Sequence, residues 1–177
     1  ESLSVGVGDL NHLKGFTNVT VIGVSPDQVA ATLATPGVVA VTADPATSSQ
    51  ALSLNSAALT KISGFTNITV TETAAEINAH LGSLVTNVNV TGIKASDSGD
   101  IVLTSFQAGQ AYFNKFSEDD HIVVTGLTTN PAILNNSKID SIVYGISSFG
   151  SISIALNGSQ GAYINTCLLY TSPSPRD

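Results

Sequence analysis

Apolar and polar residues alternate in short β-branched runs along this chain, and each run gives way to a helical stripe. In the middle of the sequence Ile68 and Val70 alternate with Asn67, Thr69 and Thr71, the period of two that marks a strand with one buried face. Thr73-Ala74-Ala75-Glu76 follows with the form of a capping box, in which the Thr hydroxyl and the Glu carboxylate satisfy orphan amides at a helix start. Ile77, Leu81, Leu84 and Val85 then fall at i, i+4, i+7 and i+8, one apolar stripe of a short helix. Val88 to Ile93 returns to alternation, Asp97-Ser98-Gly99-Asp100 reads as a turn, and Ile101-Val102-Leu103 as a further strand. Phe106, Gly109, Phe113 and Phe116 form the stripe of a second helix capped by Thr104 or Ser105. The order predicted is β-α-β-β-α.

The same grammar is written elsewhere in the chain. Leu3-Ser4-Val5 and Lys14-Gly15-Phe16-Thr17-Asn18-Val19-Thr20-Val21 are echoed by Leu52-Ser53-Leu54 and Lys61-Ile62-Ser63-Gly64-Phe65-Thr66-Asn67-Ile68-Thr69-Val70. His121-Ile122-Val123-Val124-Thr125 makes a looser third copy, so the offsets are 68 − 19 = 49 and 122 − 68 = 54. Ser25-Pro26-Asp27-Gln28 reads as a second capping box with Pro at the first helical position. Val29 and Leu33 stand in the places of Ile77 and Leu81 at one shared offset (77 − 29 = 48, 81 − 33 = 48), and should be buried at matching sites. Val39 to Thr42 and Ala51 to Leu54 supply strands, and Leu59 and Ile62 the second helix's stripe. In the third copy Asn130-Pro131 should cap a helix containing Ile133 and Leu134. Strands follow at Ile142 to Tyr144 and Ile152 to Ile154, then a second helix near Tyr163.

Self-similarity at a fixed period predicts stacked units with a continuous core. The fold class expected is α/β, a solenoid-like tandem repeat of β-α-β-β-α units. The alternative is a compact two-layer α+β domain with duplicated halves. The array would span 1–166, as a partial unit 1–17, units 18–66 and 67–120, and a partial unit 121–166. Because the pattern opens on a third-strand segment, at Glu1 instead of Met, and stops inside a helix, the chain is expected to be a fragment of a longer array.

These segments resemble a tandem β-strand-repeat module of large secreted bacterial proteins of the RTX and adhesin-like kind. In that group a stretch like Ile68-Thr69-Val70-Thr71-Glu72-Thr73-Ala74-Ala75-Glu76-Ile77 recurs before a short helix and a further strand. The resemblance spans residues 2 to about 125. It implies a secreted, type-I-exported parent located outside the cell or on its surface. The role it implies is structural or adhesive, with neighbouring repeats, cell-surface glycans or other proteins as partners. The Gly-Gly-x-Gly-x-Asp nonapeptides that hold calcium in such proteins are absent, so calcium is not carried over. Cys167-Leu168-Leu169-Tyr170-Thr171-Ser172-Pro173-Ser174-Pro175-Arg176-Asp177 instead resembles the translated read-through of a sequencing adapter, a contaminant of metagenomic genes. This 167–177 tail breaks the pattern and holds the only Cys and the only Arg, so it is set apart from the fold.

Charge narrows the reading. Charged residues make up 11% of the 177, less than half the usual fraction of about 25%, and Ser, Thr, Asn and Gly take their place. A net charge of −7 with singly scattered lysines argues against nucleic acid and anionic membrane partners. No apolar run approaches the roughly 20 residues of a membrane span. No disulfide framework is available outside the tail.

Candidate chemistry is sparse, and no enzyme is expected. His12, His80 and His121 lie in different elements, none with a second ligand at metal spacing. Nucleophile-elbow, Walker and dinucleotide motifs are missing. Two acidic clusters, Asp97 with Asp100 and Glu118-Asp119-Asp120, hold the oxygens that calcium would take, provided several converge. The plainer reading is a capped turn and a solvated loop, so no cofactor is expected and calcium is the ion to test for. Asn18, Asn67, Asn89 and Asn157 have the form of sequons. Thr20, Thr69, Thr71 and Thr91 on alternate strand positions suggest a second reading as a glycan-binding or glycan-active module, although the tyrosines at 112, 144 and 163 are too dispersed for a sugar platform.

Overall fold

The computed structural model describes residues 3–12, 15–126, 133, 135–144 and 161–164. Along the chain the strands are β1 (Leu3–Gly6), β2 (Val19–Val24), β3 (Val38–Ala43), β4 (Leu52–Leu54), β5 (Ile62–Ser63) and β6 (Ile68–Glu72). They continue as β7 (Val90–Ala95), β8 (Asp100–Thr104), β9 (His121–Thr125), β10 (Ser141–Tyr144) and β11 (Gly161–Ile164). The helices are short: α1 (Val29–Leu33), α2 (Ser56–Leu59), α3 (Ala74–Thr86) and α4 (Ser105–Ala108). The protein is therefore mixed α/β, built on several small sheets whose ladders all run parallel among the described residues.

Three sheets share one plan. The first has the order β1-β2-β3-β5, the second β4-β6-β7, and the third β11-β10-β9-β8. Phe116 extends the second sheet through a parallel bridge to Ile93. Each later sheet opens on a strand that lies in sequence inside the span of its predecessor, β4 between β3 and β5 and β8 between β7 and Phe116. Val19, Ile68 and Ile122, which open the echoing segments, sit in the second-placed strand of the first, second and third sheet.

The interval from Val19 to Ile68, or from Ile68 to Ile122, is not the step from strand to strand. Hydrogen bonds join Thr42 to Ser63, 21 residues on, Ser53 to Thr71, 18 on, and Leu103 to Thr125, 22 on. A parallel neighbour needs a crossover of a dozen or more residues, which sets this step. Inward positions are filled by Val19, Val21, Ile68, Val70, Ile101 and Leu103, all 2% exposed or less. In β2 the alternation slips after Val21, where a bulge with Gly23 at φ 72 turns Val24 inward. Gly92 in β7 has no side chain because a Cβ there would meet Thr69 Oγ1 of β6 at 2.8 Å.

Several local expectations need correction. Ser25 makes no side-chain cap: its hydroxyl bonds Asp27 and Gln28, and Pro26–Gln28 is a 3-10 turn ahead of α1. The expected second helices are single turns of four residues, α2 and α4. Ile62 belongs to β5, and Phe116 to a bridge, so each stripe continues into a strand that alternation did not reveal. After α4 the chain tightens into a 3-10 turn, Ala111–Lys115, which breaks the helical register and leaves Phe106 76% exposed while Phe113 and Phe116 are buried. Near Tyr163 the chain is strand β11, not helix. Most of the helix expected after Asn130-Pro131, the strand at 152–154, Asn157 and the tail 167–177 lie outside the described residues.

Helix α3 has the predicted box. Thr73 Oγ1 accepts from Glu76 N at 3.3 Å, and the Glu76 carboxyl accepts from Thr73 N. Ile77, Leu81 and Leu84 are buried beneath it. Val29 matches Ile77 in burial, whereas Leu33 is only half-buried where Leu81 is 7% exposed. Truncating Leu81 to Ala should therefore cost about 2–5 kcal/mol, and Leu33→Ala distinctly less. Urea unfolding of the two variants measures this, and equal losses would contradict the difference in packing between α1 and α3.

Candidate functional site

Of the expected calcium ligands, the structure gives most a backbone or ion-pair partner. Asp97 Oδ1 accepts from Ala74 N at 2.9 Å and Gly99 N at 3.4 Å, tying a turn to the start of α3. Asp100 faces His121 Nδ1 at 3.6 Å, and Asp119 faces Lys94 at 3.9 Å, both at exposed sites. Glu118 is exposed. Asp120 is buried, its two oxygens accepting from Ala95 N at 2.7 Å and Ser117 N at 2.9 Å. Among the described residues no three His, Cys, Asp or Glu side chains gather as a metal site. Desolvation, with a smaller push from the Asp119 charge, raises the Asp120 pKa against the Ala95 and Ser117 amides and Lys94, which lower it.

The threonines do not form one array. Thr20 lies in the first sheet, Thr69 and Thr71 in the second. Thr91 Oγ1 donates to Asn67 Oδ1 at 2.7 Å, so that sequon asparagine is engaged between coils of chain. His12 is exposed in a 3-10 turn.

Sequence patterning missed a charged group buried at the end of a strand. Glu72 ends β6 and is 7% exposed. Its Oε1 accepts from both Ser56 N and Ser56 Oγ at 2.8 Å, while its Oε2 is buried with no hydrogen-bond partner. His80 Nδ1 stands 3.4 Å from Ser56 Oγ and 3.0 Å from the Glu76 carbonyl, which requires the Nδ1 proton to be donated there. The place is comparable with Val24: Asp44 N bonds Val24 O at 2.9 Å as Ser96 N bonds Glu72 O at 2.7 Å. The signal available in sequence was a charge at the repeat offset from that valine (72 − 24 = 48). Val7, which opens the 3-10 turn after β1, precedes Ser56 by a matching offset (56 − 7 = 49). In the third sheet Gly126 lies near Ser105 Oγ. One ladder position thus carries three different chemistries.

Beside α2 opens a cleft of about 390 Å³. Its lining includes Val29, Ala30 and Leu33 of α1, Leu54 of β4, and Ala57 and Lys61. Two lysines elsewhere act as caps that periodicity could not show. Lys115 Nζ donates to the Val85 and Asn87 carbonyls at 2.9 and 3.0 Å at the end of α3, and Lys138 Nζ to the Phe116 carbonyl at 2.7 Å. Burial lowers the Lys115 pKa.

Two measurements test this electrostatic picture. Glu72→Val removes the acceptor of two Ser56 donors and should cost about 1–3 kcal/mol. Adding Ser56→Val removes the hydroxyl, one of the two stranded donors, and should recover part of that loss, a coupling that a double-mutant cycle reads. A double variant no more stable than the single one would refute the pairing. Asp120, with its folded pKa raised above 3.8, binds its proton more readily folded than unfolded. Its contribution is therefore fully present at low pH and is lost as pH rises through the raised value. The thermal midpoint of wild type minus that of Asp120→Asn should fall as pH rises from about 4. A difference that grows instead would reverse the sign assigned to desolvation.

Comparison with protein-family models, curated proteins and solved structures finds no match to this chain. What the site can do follows from its own atoms: a buried carboxyl held on a serine, and an open apolar cleft beside it.

Proposed function

We propose that the chain is a structural or adhesive segment of a solenoid-like tandem array, in a large secreted or surface-exposed bacterial protein. The observation that carries this reading is the recurrence of one sequential order of parallel strands in three sheets, the second and third each opened by a strand from within the span of the one before. A sheet assembled this way is completed only by its neighbour, which is how stacked units share a core. The low charged fraction of 11% and the Thr-rich outward positions agree with an extracellular surface. Among the described residues no helix is long and apolar enough to cross a membrane.

Phe16 and Phe65 support the same reading. Phe65 is 1% exposed, and the residues after it are tied to the loop before β4: Thr66 N donates to Ser48 O at 3.0 Å and Asn67 Nδ2 to Ser49 O at 3.4 Å. Phe16, at the corresponding place beside the first sheet, is 53% exposed. A loop like Asp44 to Gln50 from an adjoining unit is the covering that this end of the array would receive. The partners of the segment are accordingly other repeats.

The chain should self-associate at high concentration through the Phe16 end. Phe16→Ser should weaken that association in sedimentation equilibrium while leaving the thermal midpoint nearly unchanged, since the side chain is half exposed. Hydrogen exchange should be slowest in β6 and β8 and faster toward β1. A monomer at every concentration, with uniform protection from Leu3 onward, would be incompatible with the array.

A further inference from the structure

We propose that the cleft between α1, β4 and α2 is a binding site for a side-chain carboxamide, that of an asparagine or glutamine in a peptide partner. The chain itself displays this chemistry in the corresponding place beside the third sheet. There Asn78 of α3 spans the edge of β8, donating from Nδ2 to the Asp100 carbonyl at 2.8 Å and accepting at Oδ1 from Val102 N at 2.9 Å. A primary amide has donor and acceptor side by side in one plane. It therefore chelates a strand edge whose N–H and C=O point the same way, two residues apart.

Strand β4 offers the same edge without the amide. It opens the second sheet as β8 opens the third, with β6 on one side only. The Leu52 N–H is committed to Asn67 O at 3.0 Å. By the alternation of a parallel ladder the Ser53 N–H and the Ala51 C=O point the other way, and Ser53 lines the cleft. Ala30, at the repeat offset before Asn78 (78 − 30 = 48), stands in the cleft wall. Ala57 likewise stands at the repeat offset before Phe106 (106 − 57 = 49). Both replacements subtract volume, and α1 has 5 residues against the 13 of α3. The opening of about 390 Å³ falls within the roughly 300–1,000 Å³ of small-ligand sites. Its apolar walls at Val29, Leu33 and Leu54 suit the methylene stem that carries the amide.

Direction of hydrogen bonding sets the selectivity. A carboxylate of the same length accepts from Ser53 N–H but has nothing to donate to the Ala51 carbonyl, and the lysine in the lining, Lys61, is exposed, so an ion pair there adds little. The peptide-bond amide of an ordinary backbone is trans, so its N–H and C=O point apart and cannot chelate from one group.

The test uses the full chain labelled with nitrogen-15. N-acetyl-glutamine-methylamide, N-acetyl-glutamate-methylamide and N-acetyl-alanine-methylamide are titrated separately, and the Ser53 amide resonance is followed. The expected result is a saturable shift of Ser53 with the glutamine probe, at least tenfold weaker with the other two. Ala30→Asn should abolish the shift by supplying the amide internally, and should move the Ser53 resonance toward its bound position without ligand. Ala30→Leu, which fills the space but cannot chelate, should abolish the shift without moving that resonance. No response of Ser53 to the glutamine probe overturns the proposal. So does equal response to glutamate, which would mean a simple anion contact, or to the alanine probe, which would mean addition of a backbone strand. Binding retained in both Ala30 variants would place the ligand elsewhere and would equally overturn it.

Discussion

The structure depends on the demand that a parallel strand makes on its edge. Every parallel pairing sends the chain around a full crossover before it returns, and the strand that opens a sheet keeps one row of amides and carbonyls unpaired. Here the rows differ: that of β8 is covered, while that of β4 faces the cleft beside α2. At β8 the side chain of Asn78 chelates it. Further round, Asp120 takes the Ala95 amide and Asp140 the Ile122 amide at 2.7 Å each, so carboxyls replace missing strands at places where a ladder ends. Lys115 and Lys138 do the converse for carbonyls. Among the described residues, Asp44, Glu72, Glu76, Asp97, Asp120, Asp140, Lys115 and Lys138 all make side-chain hydrogen bonds to the chain's own backbone.

Legibility in the sequence follows from the range of the interaction concerned. β6, α3 and β8 were readable because their signals are local: alternation, a capping box and an i, i+4, i+7 stripe all lie within a short stretch of chain. β5 and the Phe116 bridge were not readable, because a two-residue strand has no period and is fixed by its partner instead. The stripe through Phe106 misled for a related reason. It assumes one helical pitch, and the chain changes from α to 3-10 geometry between Ala108 and Ala111. The recurrence itself was visible, from Val19 to Ile68 to Ile122, yet the step between paired strands, set by long-range pairing, was not.

The site was less legible than the fold. Asp97, Asp100 and Asp119 were visible as acids, but acid content says nothing of what the oxygens face, and here they face amides, a histidine and a lysine. Glu72 gave only a weak signal, since a Glu between a Thr-rich strand and a capping Thr reads as one more exposed polar residue. Its burial follows the alternation of β6, in which Ile68, Val70 and Glu72 share the inward face.

Variation between the echoing segments is concentrated at a few ladder positions, and this separates scaffold from chemistry. Val19, Ile68 and Ile122 are interchangeable apolar residues because each fills the same kind of inward slot. By contrast Val24, Glu72 and the Gly126 neighbourhood differ in charge, polarity and size within one structural role, and so do Ala30 and Asn78. A slot that only had to pack would not tolerate a buried carboxyl with one oxygen unpartnered, since desolvating it costs free energy that an aliphatic residue would not. The positions around α2, with Ser56 bonded to Glu72 on one side and the open cleft on the other, are where the echoing segments differ most in chemistry. In the array proposed above, each unit's stability would be set mainly by itself and its nearest neighbours, so chemistry introduced at one sheet would leave the packing of the next intact.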